Sequence, residues 1–388
     1  MATGTPHRKE RGAKTGRSPL RRALSRTAWP ALALVALALV ALTLVTNLTS
    51  GTRHTLVVAS MPYWNIQHDT AVVLANRKDV NEVSPWIYGL TPGGGIVTQY
   101  SSGAQTAAGA HDIQRMRQAG LRIVPSIANI TNGNFSYQPI GRILHDPVLA
   151  RGQVAAIVSL VDKQDYAGID IDYENLHAGD QAVYLRFIRE LAAALHARGK
   201  VLSVAVFPQT SAADVSSANP AQNYAAIGKV ADQVRIMGYN DHWATSPPGA
   251  VAPIGWVKSV LNYATSQIPA DKVVLGIPLY GYNWGDGPAQ TISWLQALKL
   301  SRQYGATASY DKTSQAPTFT YTSGGRLHTV WFENAESTTA KFDAVKGDSV
   351  AGVYLWMYGY EDPGTWSALH HTLPTSGSGA SSSSTAVP

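Results

Sequence analysis

The chain has 388 residues, 45% of them hydrophobic, no cysteine and a formal net charge of +6. That length accommodates one large α/β domain or two smaller ones, and the missing cysteines exclude a disulfide framework and thiol chemistry. The charge is confined to one end: residues 1–27 carry eight Lys and Arg against Glu10, leaving 23 basic and 24 acidic residues elsewhere, so the body lacks a basic footprint for nucleic acid.

After this basic tail, Ala28–Val45 is an eighteen-residue run rich in Leu, Ala and Val, without a charge. At about 1.5 Å per residue a helix of that length covers about 27 Å, close to the hydrocarbon thickness of a bilayer. The upstream arginines favour a cytoplasmic N-terminus. The expectation is a single-pass signal anchor over residues 28–48 in the cell membrane, with the rest of the chain extracellular. A cleaved signal peptide and a secreted product is the alternative. A short polar linker runs to residue 54, and residues 373–388, dominated by Ser, Gly, Ala and Thr, read as a disordered tail.

Between these ends, short apolar runs predict strands at Leu56–Trp64, Val83–Leu90, Arg122–Ile127, Gly168–Glu174, Val201–Phe207, Gln233–Tyr239, Val273–Tyr280 and Gly352–Tyr358. Helical spacing is clearest over His111–Ala119, Val154–Lys163, Gln181–Ala197 and Ala221–Ala231, with Gly120 and Gly199 placed as C-terminal caps. Eight strands alternating with helices predict a (β/α)₈ TIM barrel over residues 55–372, with its site at the C-terminal strand ends. An open doubly wound sheet is the alternative, but no Gly-rich phosphate loop follows the first strand. Some 70 residues separate strands seven and eight. They predict a small α+β insertion at about 285–335, with strands Tyr310–Tyr321 and Arg326–Phe332 around the turn Ser323-Gly324-Gly325, forming one wall of a groove.

The fourth strand holds the strongest chemical signal, Gly168-Ile169-Asp170-Ile171-Asp172-Tyr173-Glu174. In extended backbone Asp170, Asp172 and Glu174 share one face, while the apolar residues pack on the other. Three like charges in a column repel unless protons or hydrogen bonds offset them, and perturbed carboxylates mark active sites. A solvated edge strand would carry mixed polar types. A metal centre would call for clustered histidines, whereas the eleven here are scattered. In strand six Met237 and Tyr239 share a face by the same alternation, placing a phenol near the barrel mouth.

These segments resemble the family 18 glycoside hydrolases. Gly168, Asp170, Asp172 and Glu174 match the family signature Asp-Gly-x-Asp-x-Asp-x-Glu, with Ala167 in place of the first Asp. Met237 and Tyr239 match its Met-x-Tyr-Asp, with Asn240 where Asp is expected and Asp241 next to it. Trp356 corresponds to the family's pocket-floor tryptophan, whose ring buries the apolar face of a sugar. Tyr280, Tyr63 and Trp64 are further candidates for groove lining. The likeness spans roughly residues 55–370. It is closest to the bacterial cell-wall branch related to spore-germination hydrolases, on Met61-Pro62-Tyr63-Trp64-Asn65, Tyr239-Asn240-Asp241-His242-Trp243, Gly276–Tyr282 and Val330–Asn334.

The resemblance implies hydrolysis of β-1,4 bonds in N-acetylglucosamine-containing glycans, peptidoglycan or chitin, with retention and with the substrate's acetamido group as nucleophile. Glu174 is then the proton donor, Asp172 orients the acetamido group, Asp170 tunes Asp172, and Tyr239 bonds the acetamido oxygen. No metal or other cofactor is expected, and the barrel is expected to act as a monomer. The alternative is a non-catalytic, lectin-like glycan binder on the same barrel. Members that have lost hydrolysis usually lack the terminal acid, and here Glu174 is present.

Overall fold

The computed structural model describes residues 55–214 and 220–373. The expected basic tail, the 28–48 anchor, the linker and the C-terminal tail beyond residue 373 lie outside them. Among the described residues no helix is long and apolar enough to cross a membrane.

Eight parallel strands close into a barrel: β1 (Leu56–Pro62), β2 (Glu82–Leu90), β3 (Arg122–Ile123 with Ser126–Ala128), β4 (Gly168–Asp172), β5 (Val201–Val206), β6 (Gln233–Ile236), β7 (Val273–Pro278) and β8 (Gly352–Trp356). Each pairs with the next in chain order, and β1 pairs with both β2 and β8, so no edge is left open. The alternating helices are α1 (Ile66–Ala75), α2 (Gly103–Gln118), α3 (Pro147–Lys163), α4 (Gln181–His196), α5 (Tyr224–Gly228), α6 (Ile254–Gln267), α7 (Ala335–Gly347) and α8 (Gly364–Thr372).

Local chemistry sets these boundaries. Helix α3 begins where Asp146 accepts the amides of Val148 and Leu149, with Pro147 in the first turn, where its missing N–H costs nothing. Helix α4 buries Tyr184, Phe187, Ile188, Leu191 and Leu195 on one stripe against the barrel. Gly120 and Gly199, at φ +85° and +65°, follow α2 and α4 as expected.

Alternation sorts the strands into an outward apolar layer and an inward polar one. Val83, Ile87, Ile169, Ile171, Val204, Val234, Ile236, Val353 and Leu355 pack in the main core beneath the helices. Inside the barrel Glu82, Ser84, Ser126, Asp170, Ser203, Gln233 and Arg235 are all buried. Gly168 admits β4 to this interior, since a Cβ there would stand 2.2 Å from the carbonyl oxygen of Val201 on β5.

The insertion between β7 and α7 is an antiparallel sheet in the order 287–293, 280–285, 326–331, 316–323, 309–311. Helix Trp294–Gln303 covers it, and Ile292, Phe319, Tyr321, Val330 and Phe332 form its core. Ser323 pairs with Arg326 across a two-residue turn, and Gly324 and Gly325 supply the positive φ values, +58° and +78°, that such a tight hairpin demands.

Several expected boundaries shift. The insertion starts at Tyr280, not near residue 285, and Tyr280 belongs to its first strand instead of β7. The strand expected over Tyr310–Tyr321 is two pieces, Ser309–Asp311 and Ala316–Ser323. Strand β6 stops at Ile236 because the amides of Gly238 and Tyr239 turn back onto Ile236 and Met237, and Asn240 takes φ +65°. Strand β4 stops at Asp172, so Glu174 sits on the loop that leaves it. The helix expected over Ala221–Ala231 is the single short α5.

Candidate active site

A cleft of about 940 Å³ opens over the C-terminal strand ends, lined by Trp86, Asp170, Asp172, Glu174, Met237, Tyr239, Asn240, Asp241 and Trp356 among others. The three expected carboxylates therefore share one cavity. Asp170, deepest of them, accepts the Ser126 hydroxyl from β3 at 2.7 Å, and the Arg235 guanidinium lies 3.5 Å away. Asp172 accepts the indole N–H of Trp86 from β2 through Oδ2 at 2.8 Å. The Oδ1 atoms of both aspartates are buried and have no hydrogen-bond partner.

Glu174 lies beyond the strand yet is held as though still in a ladder. Its amide donates to Asn129 Oδ1 and its carbonyl accepts from Asn129 Nδ2, both at 2.8 Å. One side chain thus substitutes for a backbone rung, and Asn175 at φ +59° then turns the chain away.

The electrostatics follow from this crowding. Burial pushes the Asp172 carboxyl up to about 7; the Trp86 hydrogen bond opposes the rise, the charge of Asp170 adds to it, and Arg235 opposes it. Burial likewise pushes Glu174 well above the usual carboxylate range, with Asp172 adding to the effect. Both causes favour the protonated form of Glu174, the direction a general acid needs.

The opposite wall supplies phenols. Tyr239 hydroxyl meets Tyr354 hydroxyl at 3.0 Å, and burial holds Tyr239 protonated far past neutrality, so it remains a donor. Asn240 Oδ1 accepts the hydroxyls of Tyr280 and Tyr282 at 2.6 and 3.1 Å. Asp241 is half-buried at the cleft, and burial raises its carboxyl. Trp356 packs edge-on against Trp86 with centroids 5.9 Å apart.

Three expected groove residues are not part of the cleft lining. Tyr280 is buried and supports Asn240 through its hydroxyl. Tyr63 stacks on Trp86 at 6.2 Å, and Trp64 meets the same ring edge-on at 5.9 Å with half its surface exposed. Trp86, Asn129, Arg235 and Tyr354 were not expected. Alternation could have found three of them, since Trp86 is in phase with inward Glu82 and Ser84, Arg235 with Met237, and Tyr354 with Trp356. Asn129 carries no such signal.

A closed parallel barrel with an elevated carboxyl after β4 and a second carboxylate behind it is an arrangement suited to a glycosidase. The chain belongs to the glycosyl hydrolases family 18, whose family model matches residues 57–361. It is 38% identical over 251 residues to the cortical fragment-lytic enzyme of Bacillus subtilis, an alignment covering 63% of this chain and 58% of that protein. The chain thus spans less than two thirds of that relative's length. Among solved structures, the Bacillus cereus spore cortex-lytic enzyme SleL superposes with a TM-score of 0.75 at 29% identity, covering 85% of this chain and 77% of that one. A chitinase from Chromobacterium violaceum gives 0.75 at 28% identity, covering 82% and 98%.

Proposed function

We propose that this protein hydrolyses β-1,4 bonds at N-acetylglucosamine-type sugars with retention, using the acetamido group of the substrate as nucleophile. Asp172 carries this reading. Trp86 fixes one of its carboxylate oxygens, and the other is buried without a partner beside Glu174. That free oxygen can accept an acetamido N–H and then stabilise the positive charge of an oxazolinium intermediate. Glu174 donates its proton to the leaving oxygen and afterwards activates water. Tyr239 supplies a hydrogen bond to the acetamido oxygen, and Trp356 offers its face to the sugar ring.

The substrate itself tests the mechanism. An N-acetylglucosamine oligomer should be cleaved, and the same oligomer fully deacetylated should not. A thiazoline mimic of the oxazolinium should inhibit, because enzymes bind analogues of high-energy intermediates more tightly than ground states. A glycosyl ester trapped on Asp172 or Glu174 would refute substrate assistance.

Cell-wall glycan is the favoured polymer over chitin, supported by relatives named for cortex lysis. Mass analysis of products from purified sacculi and from chitin oligomers, side by side, decides between them. We also retain the membrane anchor at residues 28–48 as a proposal, with the barrel outside the cell; full-length protein should then fractionate with membranes and resist extraction by salt.

A further inference from the structure

Arg235 reaches from β6 across the barrel interior to β2, four strands away around the barrel. Its Nη2 donates to Glu82 Oε1 and its Nη1 to Ser84 Oγ, both at 2.7 Å. Gln233 Oε1 accepts from Nε at 3.3 Å and from Nη2 at 3.2 Å. Nη1 also lies 3.5 Å from Asp170 Oδ2 at the foot of the carboxylate column. The side chain is 2% exposed, and a guanidinium keeps its charge in any such site.

Fold stability alone does not account for this arrangement. A buried ion pair roughly breaks even against well-packed apolar residues, so Glu82 with Arg235 adds little that a Gln and Met pair could not. Glu82 also has two other partners, Gln233 at 3.1 Å and the half-exposed Arg122 at 3.6 Å. Arg235 therefore has charge to share with the column.

We propose that Arg235 is a positioning residue that offsets the column's negative charge from its foot, beside Asp170, and so keeps the proton of Asp172 exchangeable. Asp172 is faced by Trp86 from β2, by Asp170 and Glu174 on its own segment, by Arg235 and Tyr239 at β6, by Tyr354 on β8 and by Tyr184 of α4, while Glu82 meets Arg235 on its far side. Among these the guanidinium is the cation. An exchangeable proton at Asp172 and Glu174 is what a donor at the cleft requires. The catalytic meaning rests on the glycosidase reading, but the test does not.

The full chain carrying ¹³C-labelled aspartate is titrated by NMR, with the Asp172 carboxyl assigned through Asp172→Asn. The double variant Glu82→Gln/Arg235→Met, which removes both charges together, should move the Asp172 midpoint upward by about one pH unit. Glu82→Gln alone should move it downward, because Arg235 then serves only the column. Arg235→Lys, which keeps the charge, should stay close to the original midpoint. An unmoved midpoint in the folded double variant overturns the proposal. Should that variant fail to fold, an unmoved or raised midpoint in Glu82→Gln does the same. None of these readings needs turnover, so an absence of glycan cleavage by the parent chain would count against the glycosidase reading and leave this result standing.

Discussion

Two buried acidic sites in this barrel are built on opposite plans. At the junction of the insertion with α7, Glu333 accepts Lys341 Nζ at 2.8 Å and the Ser337 hydroxyl at 2.5 Å, and both ends of the ion pair are about 1% exposed. Burial raises the Glu333 carboxyl, and Lys341 and Ser337 oppose the rise. At the cleft, Asp172 receives one indole hydrogen bond, faces a second carboxylate, and has no cation in direct contact. A lysine placed at Asp172 as Lys341 is at Glu333 would settle the carboxylate and leave no proton to move. The difference separates charge kept for architecture from charge left unsettled for chemistry.

The largest expected effect comes from the unsettled side. Glu174→Gln should retain the fold and lose about 10²–10⁴ in rate, the usual contribution of a positioned general acid. Full activity in the folded variant would remove Glu174 from the chemistry. The same substitution should raise thermal stability at alkaline pH. Glu174 and Asp172 have folded pKa values above their unfolded ones, so their favourable contribution is complete below about pH 4 and is lost as pH rises. For Asp172 the loss runs from about 4 to about 7. Melting curves of Asp172→Asn and Glu174→Gln at pH 4 and pH 8 should show a gain over the parent chain only at the higher pH.

The architectural side should respond in reverse. Lys341→Met strands a buried carboxylate and should cost about 3–5 kcal/mol in denaturant unfolding, with turnover per folded molecule unchanged. The double variant Glu333→Gln/Lys341→Met should recover much of that loss. A catalytic defect in folded Lys341→Met, in place of a stability defect, would erase the distinction drawn above.

Next in size is Trp86→Phe, which keeps the aromatic contact and deletes the N–H to Asp172. A hydrogen bond to a charged group contributes about 1.5–3 kcal/mol, so a loss of roughly tenfold to a hundredfold in kcat/KM is expected. That bond holds the Asp172 carboxyl down, so its removal should move the Asp172-dependent limb of the pH–rate profile upward from about 7. A downward shift would contradict the geometry.

The acidic strand was legible because its whole pattern lies within seven residues and alternation alone aims it inward. The eight strands were legible for the same local reason, with errors where turns intervene: the backbone folds back after Ile236, and the insertion claims Tyr280 two residues past the end of β7. What the sequence concealed is contact between strands distant in the chain. Trp86 and Asp172 are 86 residues apart, Asn129 and Glu174 are 45 apart, and Arg235 and Glu82 are 153 apart. Strand order and register fix those pairings, and neither is written in any single segment.

The smallest effect should come from the position where the chain departs from the family's Asp. Asn240 Oδ1 accepts two tyrosine hydroxyls, a task a carboxylate performs equally well, so Asn240→Asp should fold normally. What changes is charge. A new carboxylate in a cleft that already holds Asp172, Glu174 and Asp241 disfavours ionisation of its neighbours and should move the alkaline limb of the pH–rate profile upward. Because Asn240 lies on the wall opposite β4, the shift should be a fraction of a pH unit and the change in kcat/KM within about tenfold, or 1.4 kcal/mol. Measured profiles of the parent chain and Asn240→Asp on one N-acetylglucosamine oligomer check both numbers. A loss approaching that of Glu174→Gln would mean that the amide of Asn240 itself contacts the reacting sugar, and the contrast between settled and unsettled charge would then have to include a neutral donor in the cleft.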